Sequence, residues 1–299
     1  MNSLNNLSLE YLSSRDDSRH IENSIEIALK SSLGRQYVWV IVEAEEDFDF
    51  YKKFFNDKTK VYSASAQNKK GGYIVVEKFV EEIPKSWSDV KIPGIRDADY
   101  TKYQEEQYQP PQNIFLTQHR DLEMMMLSFS SACKGLERWN TQFPNKIDET
   151  LPYAKVLGYL RIYNQERNLS CMFRNAKVSL KSEWNDDLHQ MNDDWESSLQ
   201  EKFENGVKCK LPTFAFDLND YRSFIQMKDL EQESAYDVCR GHDVLSLLSL
   251  MMIKTDAYTT KTITNKMIES SSLIDFKQTT LYSSLRVWEQ QLGKIILKS

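Results

Sequence analysis

The stretch Tyr37-Val38-Trp39-Val40-Ile41-Val42-Glu43-Ala44-Glu45-Glu46-Asp47 is an apolar run that ends abruptly in acid. A short, continuous apolar segment rich in β-branched and aromatic residues predicts a strand covered on both faces. Glu43 then stands at its carboxyl end, with Asp47 four residues further on. The pattern recurs. A second strand over 90–95 ends at Gly94-Ile95 and leads to Asp97-Ala98-Asp99. A third, Ile114-Phe115-Leu116-Thr117, leads to Asp121-Leu122-Glu123. Open α/β sheets place their ligand crevice just past the carboxyl ends of the strands. Clustered carboxylates without a nearby Cys/His set favour a hard cation such as Mg²⁺ or Mn²⁺ over zinc.

Between these strands the spacing is helical. Glu46–Phe55 and Tyr73–Ile83 carry apolar residues on one face, and a further short strand covers Val61–Ala64. Pro93 is an awkward strand member, since proline has no N–H for a ladder. Alternating strands and helices imply βαβ units and a mainly parallel, Rossmann-like sheet. After Leu122 the chain becomes mostly amphipathic helix, clearest over Asp243–Ile253 and Ser284–Leu297. The expected organisation is an α/β domain over residues 1–130, opened by a polar segment and a helix over 20–33, and a helical extension over residues 131–299.

Composition sets outer bounds. The 299 residues, 40% hydrophobic and 27% charged, can bury a substantial core. No apolar run reaches the ~20 residues of a membrane span, and the start Met1-Asn2-Ser3-Leu4 lacks a secretory pattern. Cys133, Cys171, Cys209 and Cys239 are scattered and form no CxxC pair, which argues against a disulfide framework or a structural zinc site and fits a reducing cytoplasm. The net charge of −6 argues against a protein that coats DNA. It leaves room for a nuclease whose acidic centre is offset by metal, and for a subunit docked on a partner. A homodimer through the helical extension is a plausible form.

The segments Val42-Glu43-Ala44-Glu45-Glu46-Asp47, Gly94-Ile95-Arg96-Asp97-Ala98-Asp99 and Thr117 through Glu123 resemble the TOPRIM fold. More specifically they are similar to a bacterial TOPRIM-like family that includes the AriB-like effectors of PARIS anti-phage defence and is related to the TOPRIM domain of OLD nucleases. Cys239-Arg240-Gly241-His242-Asp243 looks like a downstream segment of the same family. The resemblance covers residues 37–123. It implies Mg²⁺-dependent cleavage of DNA or RNA, toxicity released on infection, and an ABC-type ATPase partner acting in trans. Carried over, Glu43 is the general acid/base, Asp97 and Asp99 form the metal-binding DxD, and Asp47 and Glu123 are accessory metal acids. Most members have Gly after the first glutamate where this chain has Ala44, which puts the φ > 0 freedom of that turn in question.

The chemistry suits these residue types. Phosphodiester cleavage needs neutralised non-bridging oxygens, an activated nucleophile and a protonated leaving group, which Mg²⁺ and a glutamate crowded by like charges can supply. Asp97 and Asp99 alternate along extended backbone, so both point to one side of it, as two ligands of one ion would. Other groups carry two readings each. His119 and Arg120 contact the scissile phosphate or serve the surface. Lys69 and Lys70, before Gly71-Gly72, cradle phosphate or form an ordinary turn. His242 touches substrate or belongs to a helix start capped by Asp243. Glu45, Glu46 and Asp49 are a solvated first turn of helix. Arg161, Arg167, Arg174, Lys177 and Lys181 track a nucleic-acid backbone or form a solvated face. No GxxxxGK[ST] occurs, so any NTPase is another polypeptide. The readings carried forward are an RNA (tRNA) nuclease, an OLD-like DNA nuclease, or a non-catalytic subunit that binds metal or a partner.

Overall fold

A computed structural model of the chain describes residues 25–65, 72–87, 90–104, 109–252 and 257–298. Lys69 and Lys70, the polar N-terminal stretch, the first part of the helix expected over 20–33, and the end of the helix expected to reach Ile253 lie outside these residues. The described chain forms two compact units. Their division differs from a cut at residue 130. One unit runs to Asp97 and also takes 109–118 and 273–299, while the other takes 98–108 and 119–272.

The first unit is built on a four-stranded parallel sheet: β1 (Val38–Val42), β2 (Thr59–Ser63), β3 (Gly94–Arg96) and β4 (Ile114–Leu116), in the order β2-β1-β3-β4. Every residue of β1 is buried, as a central parallel strand covered on both faces requires. On one face Trp39 and Ile41 join Tyr62 and Ile114 with Val76, Phe79, Val80 and Ile83 of helix α2 (Tyr73–Ser86), together with Ile25 and Leu29 from the helical residues 25–29. β3 starts one residue after Pro93. That proline accepts the Ile41 N–H through its carbonyl at 3.0 Å, so its missing N–H costs the ladder nothing.

Helix α1 (Glu45–Tyr51) follows β1 directly and carries Phe50 and Tyr51 into an aromatic cluster with Phe54. That cluster is completed by residues from the far end of the chain. Phe276 of helix α11 (Leu273–Lys277) stacks on Phe54 at 4.7 Å. From helix α12 (Thr280–Leu292), Trp288 donates to Asn113 Oδ1 at 2.9 Å and packs edge-on against Phe115 of β4. The buried Glu289 carboxylate accepts the N–H groups of Ile296 and Leu297 at 2.6 and 2.7 Å, and Leu297 bridges to Phe55. The helix expected to run to Leu297 stops at Leu292, where Gly293 takes the left-handed conformation (φ 64°) that ends helices.

The second unit is mostly helical. Its helices are α3 (Leu122–Leu127), α4 (Ser130–Trp139), α5 (Phe143–Glu166), α6 (Trp195–Lys208), α7 (Leu218–Met227), α8 (Ala235–Val238), α9 (Gly241–Met251) and α10 (Thr260–Ser270). Between α5 and α6 lies a small antiparallel hairpin, β5 (Trp184–Asn185) with β6 (Gln190–Met191), which the helical pattern had not foretold. Met124, Met125 and Met126 are wholly buried core residues. Arg161 of α5 pairs with Asp243 and lies 4.3 Å from the Phe173 ring centroid, so it serves internal packing, whereas Arg167 pairs with Asp220 on the exposed surface.

Glu289→Ala removes the acceptor of two buried N–H groups. It should cost about 2–3 kcal/mol, read as a lower urea midpoint, whereas Glu289→Gln should retain much of that stability.

Candidate functional site

The strand order β2-β1-β3-β4 reverses direction at β1: the chain moves outward from β1 to β2, then returns to pair β3 on the other side. This is the topological switch point at which open α/β sheets bind ligands, outside the strand carboxyl ends. Glu43 leaves β1 there and Asp97 leaves β3. The backbone N–H of Asp97 donates to Glu43 Oε1 at 2.9 Å, linking the exits of the two neighbouring strands. Glu43 is held from behind as well, because Ser65 Oγ donates to its carbonyl at 2.6 Å. Both acids are partly exposed, so a solute can reach them.

Ala44 is extended (φ −130°), a conformation open to any residue, so the turn after Glu43 does not need the glycine of the resembling family. Asp47, on the first turn of α1, is buried and accepts the Ala44 N–H at 2.8 Å. It supplies the returning arm of a capping box, while alanine offers no side-chain acceptor for the other arm. Glu45, Glu46 and Asp49 are exposed on that helix, where acids near its start complement the dipole. Gly72 precedes α2 at φ 102°, and a Cβ there would lie 3.8 Å from Glu43 Oε2, so the entry to α2 passes beside the carboxylate. Arg96 is buried, pairs with Glu77 of α2 at 3.2 Å, and lies 4.5 Å from the Tyr73 ring centroid.

Tyr51 was expected only on the packing face of this helix, not at the site. It sits one helical turn after Asp47, on the same face of α1. Its side chain is 1% exposed, and its hydroxyl has no hydrogen-bond partner among the described residues. Burial first, then the charges of Asp47, Asp97 and Glu43, hold the phenol well above its usual pKa. Three of the expected acids therefore act on one neutral phenol.

The remaining expected residues belong to the helical unit. Asp99 departs from the extended geometry expected of Asp97-Ala98-Asp99. It takes φ 48°, which Asp tolerates better than most residues, so the two carboxylates do not alternate along a strand. The Asp99 N–H instead donates to the Arg120 carbonyl at 2.8 Å, and Arg120 Nη2 reaches its carboxylate at 3.3 Å. The buried Arg120 also donates to Asp121 at 2.6 Å and lies 4.2 Å from the Tyr100 ring centroid. Asp121 caps α3 by accepting the Met124 N–H and also accepts the Gly241 N–H at 2.9 Å. That contact brings the start of α9 to α3, with His242 Nε2 3.6 Å from Glu123 Oε1. Asp243 does not cap α9, because Arg240 holds the cap position and Asp243 pairs with Arg161. His119 Nδ1 lies 2.8 Å from Asp237, which Lys102 also contacts at 3.1 Å.

Among the described residues no group of three or more His, Cys, Asp or Glu side chains forms a ready-made metal cage. Mg²⁺ does not require one, since it keeps several waters and is commonly held by one or two carboxylates. Glu43 and Asp97 fit that requirement, and the all-oxygen donor set excludes thiophilic ions.

Burial works to raise the Asp237 carboxyl, but hydrogen bonds from His119 and Lys102 outweigh it and hold the group below its usual value. A depressed carboxyl stabilises the fold above its unfolded pKa, about 3.9, and loses that contribution as pH falls through the folded value. Wild type should therefore be more stable than Asp237→Asn at pH 6, and the gap should close in urea titrations carried toward pH 3. Neither a scan against protein-family models nor a search of curated proteins gives a match for this chain.

Proposed function

We propose that this chain is a Mg²⁺-dependent phosphodiesterase of nucleic acids, with Glu43 and Asp97 at its centre. The observation that carries the reading is the Asp97 N–H to Glu43 Oε1 bond at the switch point of the parallel sheet. It fixes the direction of the Glu43 carboxylate at the exits of two neighbouring strands. In the proposed reaction Glu43 takes the proton of the attacking water, or returns one to the leaving oxygen. Asp97 orients Glu43 through its backbone and offers its own carboxylate to the cation. Mg²⁺, when bound, neutralises charge on the non-bridging phosphate oxygens. Asp47 holds the Ala44 turn so that Glu43 keeps its direction.

The finer reading is a TOPRIM-type nuclease that acts as a toxic effector of anti-phage defence, cleaving RNA, with tRNA the expected substrate, under control of an ABC-type ATPase in trans. It rests on the resemblance over residues 37–123. RNA is preferred over a long DNA duplex because several cations, Lys102, Arg161, Arg167 and Lys228, are already paired with carboxylates of the chain itself. This leaves less cationic surface for tracking a duplex backbone.

The test compares cells expressing wild type with cells expressing Glu43→Gln, sequencing total RNA and DNA for new ends. Discrete RNA breaks should appear with wild type and fall by about 10²–10⁴-fold in the variant. Breaks in DNA alone would replace the RNA preference with an OLD-like activity. Equal breakage by both proteins, or cleavage by neither in the presence of the ATPase, would overturn a catalytic Glu43 and favour a binding subunit.

A further inference from the structure

The Tyr51 hydroxyl has no part in the proposed reaction and, among the described residues, no hydrogen-bond partner. Buried hydroxyls are nearly always hydrogen-bonded, and leaving one unpaired costs about 1–3 kcal/mol. A phenylalanine would fill the same space without that cost. The ring is held firmly: it packs edge-on against Phe50 at 5.0 Å and Phe276 at 6.2 Å, and against Phe55 at 6.4 Å. Phe276 is itself locked by Phe54 and Tyr282. The hydroxyl therefore cannot swing away to find solvent.

Its electrostatic surroundings indicate what belongs beside it. Asp47, Asp97 and Glu43 all bear on the phenol, so the space favours positive charge and disfavours an anion. Burial keeps the phenol protonated, and it remains both a donor and an acceptor. A water bound to a divalent cation has acidic protons and needs acceptors. A neutral phenol oxygen among carboxylates provides one without adding further negative charge.

We propose that the Tyr51 hydroxyl is a positioning group of this site, holding a water in the hydration shell of the divalent cation that Glu43 and Asp97 bind. The proposal rests on the metal-site reading above. Outer-sphere partners of this kind usually change metal affinity by about 10–100-fold. Tyr51→Phe keeps the ring and its aromatic contacts and removes only the hydroxyl.

The experiment is calorimetric titration of MgCl₂, and separately of MnCl₂, into wild type, Tyr51→Phe and Glu43→Gln, with thermal unfolding of each protein in chelator. Tyr51→Phe should melt no lower than wild type without metal yet bind both cations about 10-fold or more weakly. Two results would overturn the role of Tyr51 alone: unchanged affinity in Tyr51→Phe while Glu43→Gln loses binding, or a metal-free Tyr51→Phe that melts several degrees lower, which would mean the hydroxyl has a structural partner. Absence of binding by wild type would overturn the metal-site reading and this proposal with it.

Discussion

Parallel pairing of β1 with β3 is the constraint on which the rest of the sheet unit depends. Once β2 lies on one side of β1, the pairs Ile41–Gly94 and Val42–Ile95 put β3 on the other, which makes the carboxyl ends of β1 and β3 the switch point of the sheet. Gly94 makes the close approach possible, because a Cβ there would come within 2.7–2.8 Å of Val76, Ile114 and Val80. Both acidic exits then arise at the carboxyl ends of the two central strands, and an N–H to carboxylate bond ties them together. The acids are placed by strand pairing rather than by loop chemistry, so the site inherits the stiffness of a buried strand.

What could be read in the sequence followed from local regularity. Val38–Val42 has a strand's composition and length, and its abrupt change to acid marks the strand end within a residue. Glu43 and Asp97 were legible for the same reason, since each follows such an end. The four strands were found with small errors: Thr59–Ser63 lies about a residue or two before the expected Val61–Ala64, and Gly94–Arg96 is shorter than the expected run. Here a proline carbonyl replaces a strand residue.

What could not be read involves distance along the chain or a single backbone angle. Nothing local in Leu273–Lys277 or Thr280–Leu292 says that these helices belong with the sheet; only the contacts of Phe276, Trp288 and Leu297 show it. Asp99 looked extended because alternation was assumed, and one left-handed φ undid the assumption. The two-residue strands of the hairpin are too short to carry a period. Tyr51 was legible in part: its spacing from Asp47 places both on one helix face, but that its hydroxyl lacks a partner among the described residues is visible only in three dimensions.

The discontinuity of the sheet unit also has a consequence for synthesis. Residues 119–272 are translated before Phe276, Trp288 and Leu297, which complete the aromatic cluster around α1 and anchor the end of the chain to Phe55. Domains tend to fold as units while the chain emerges, and the sheet unit is the one that must wait for a segment made after the whole of the other unit. The aromatic cover of α1, the helix that follows Glu43, is thus completed only once residues 273–297 have been made. The sheet unit is a structure closed from behind, its last packing partners arriving after an entire second unit has been made.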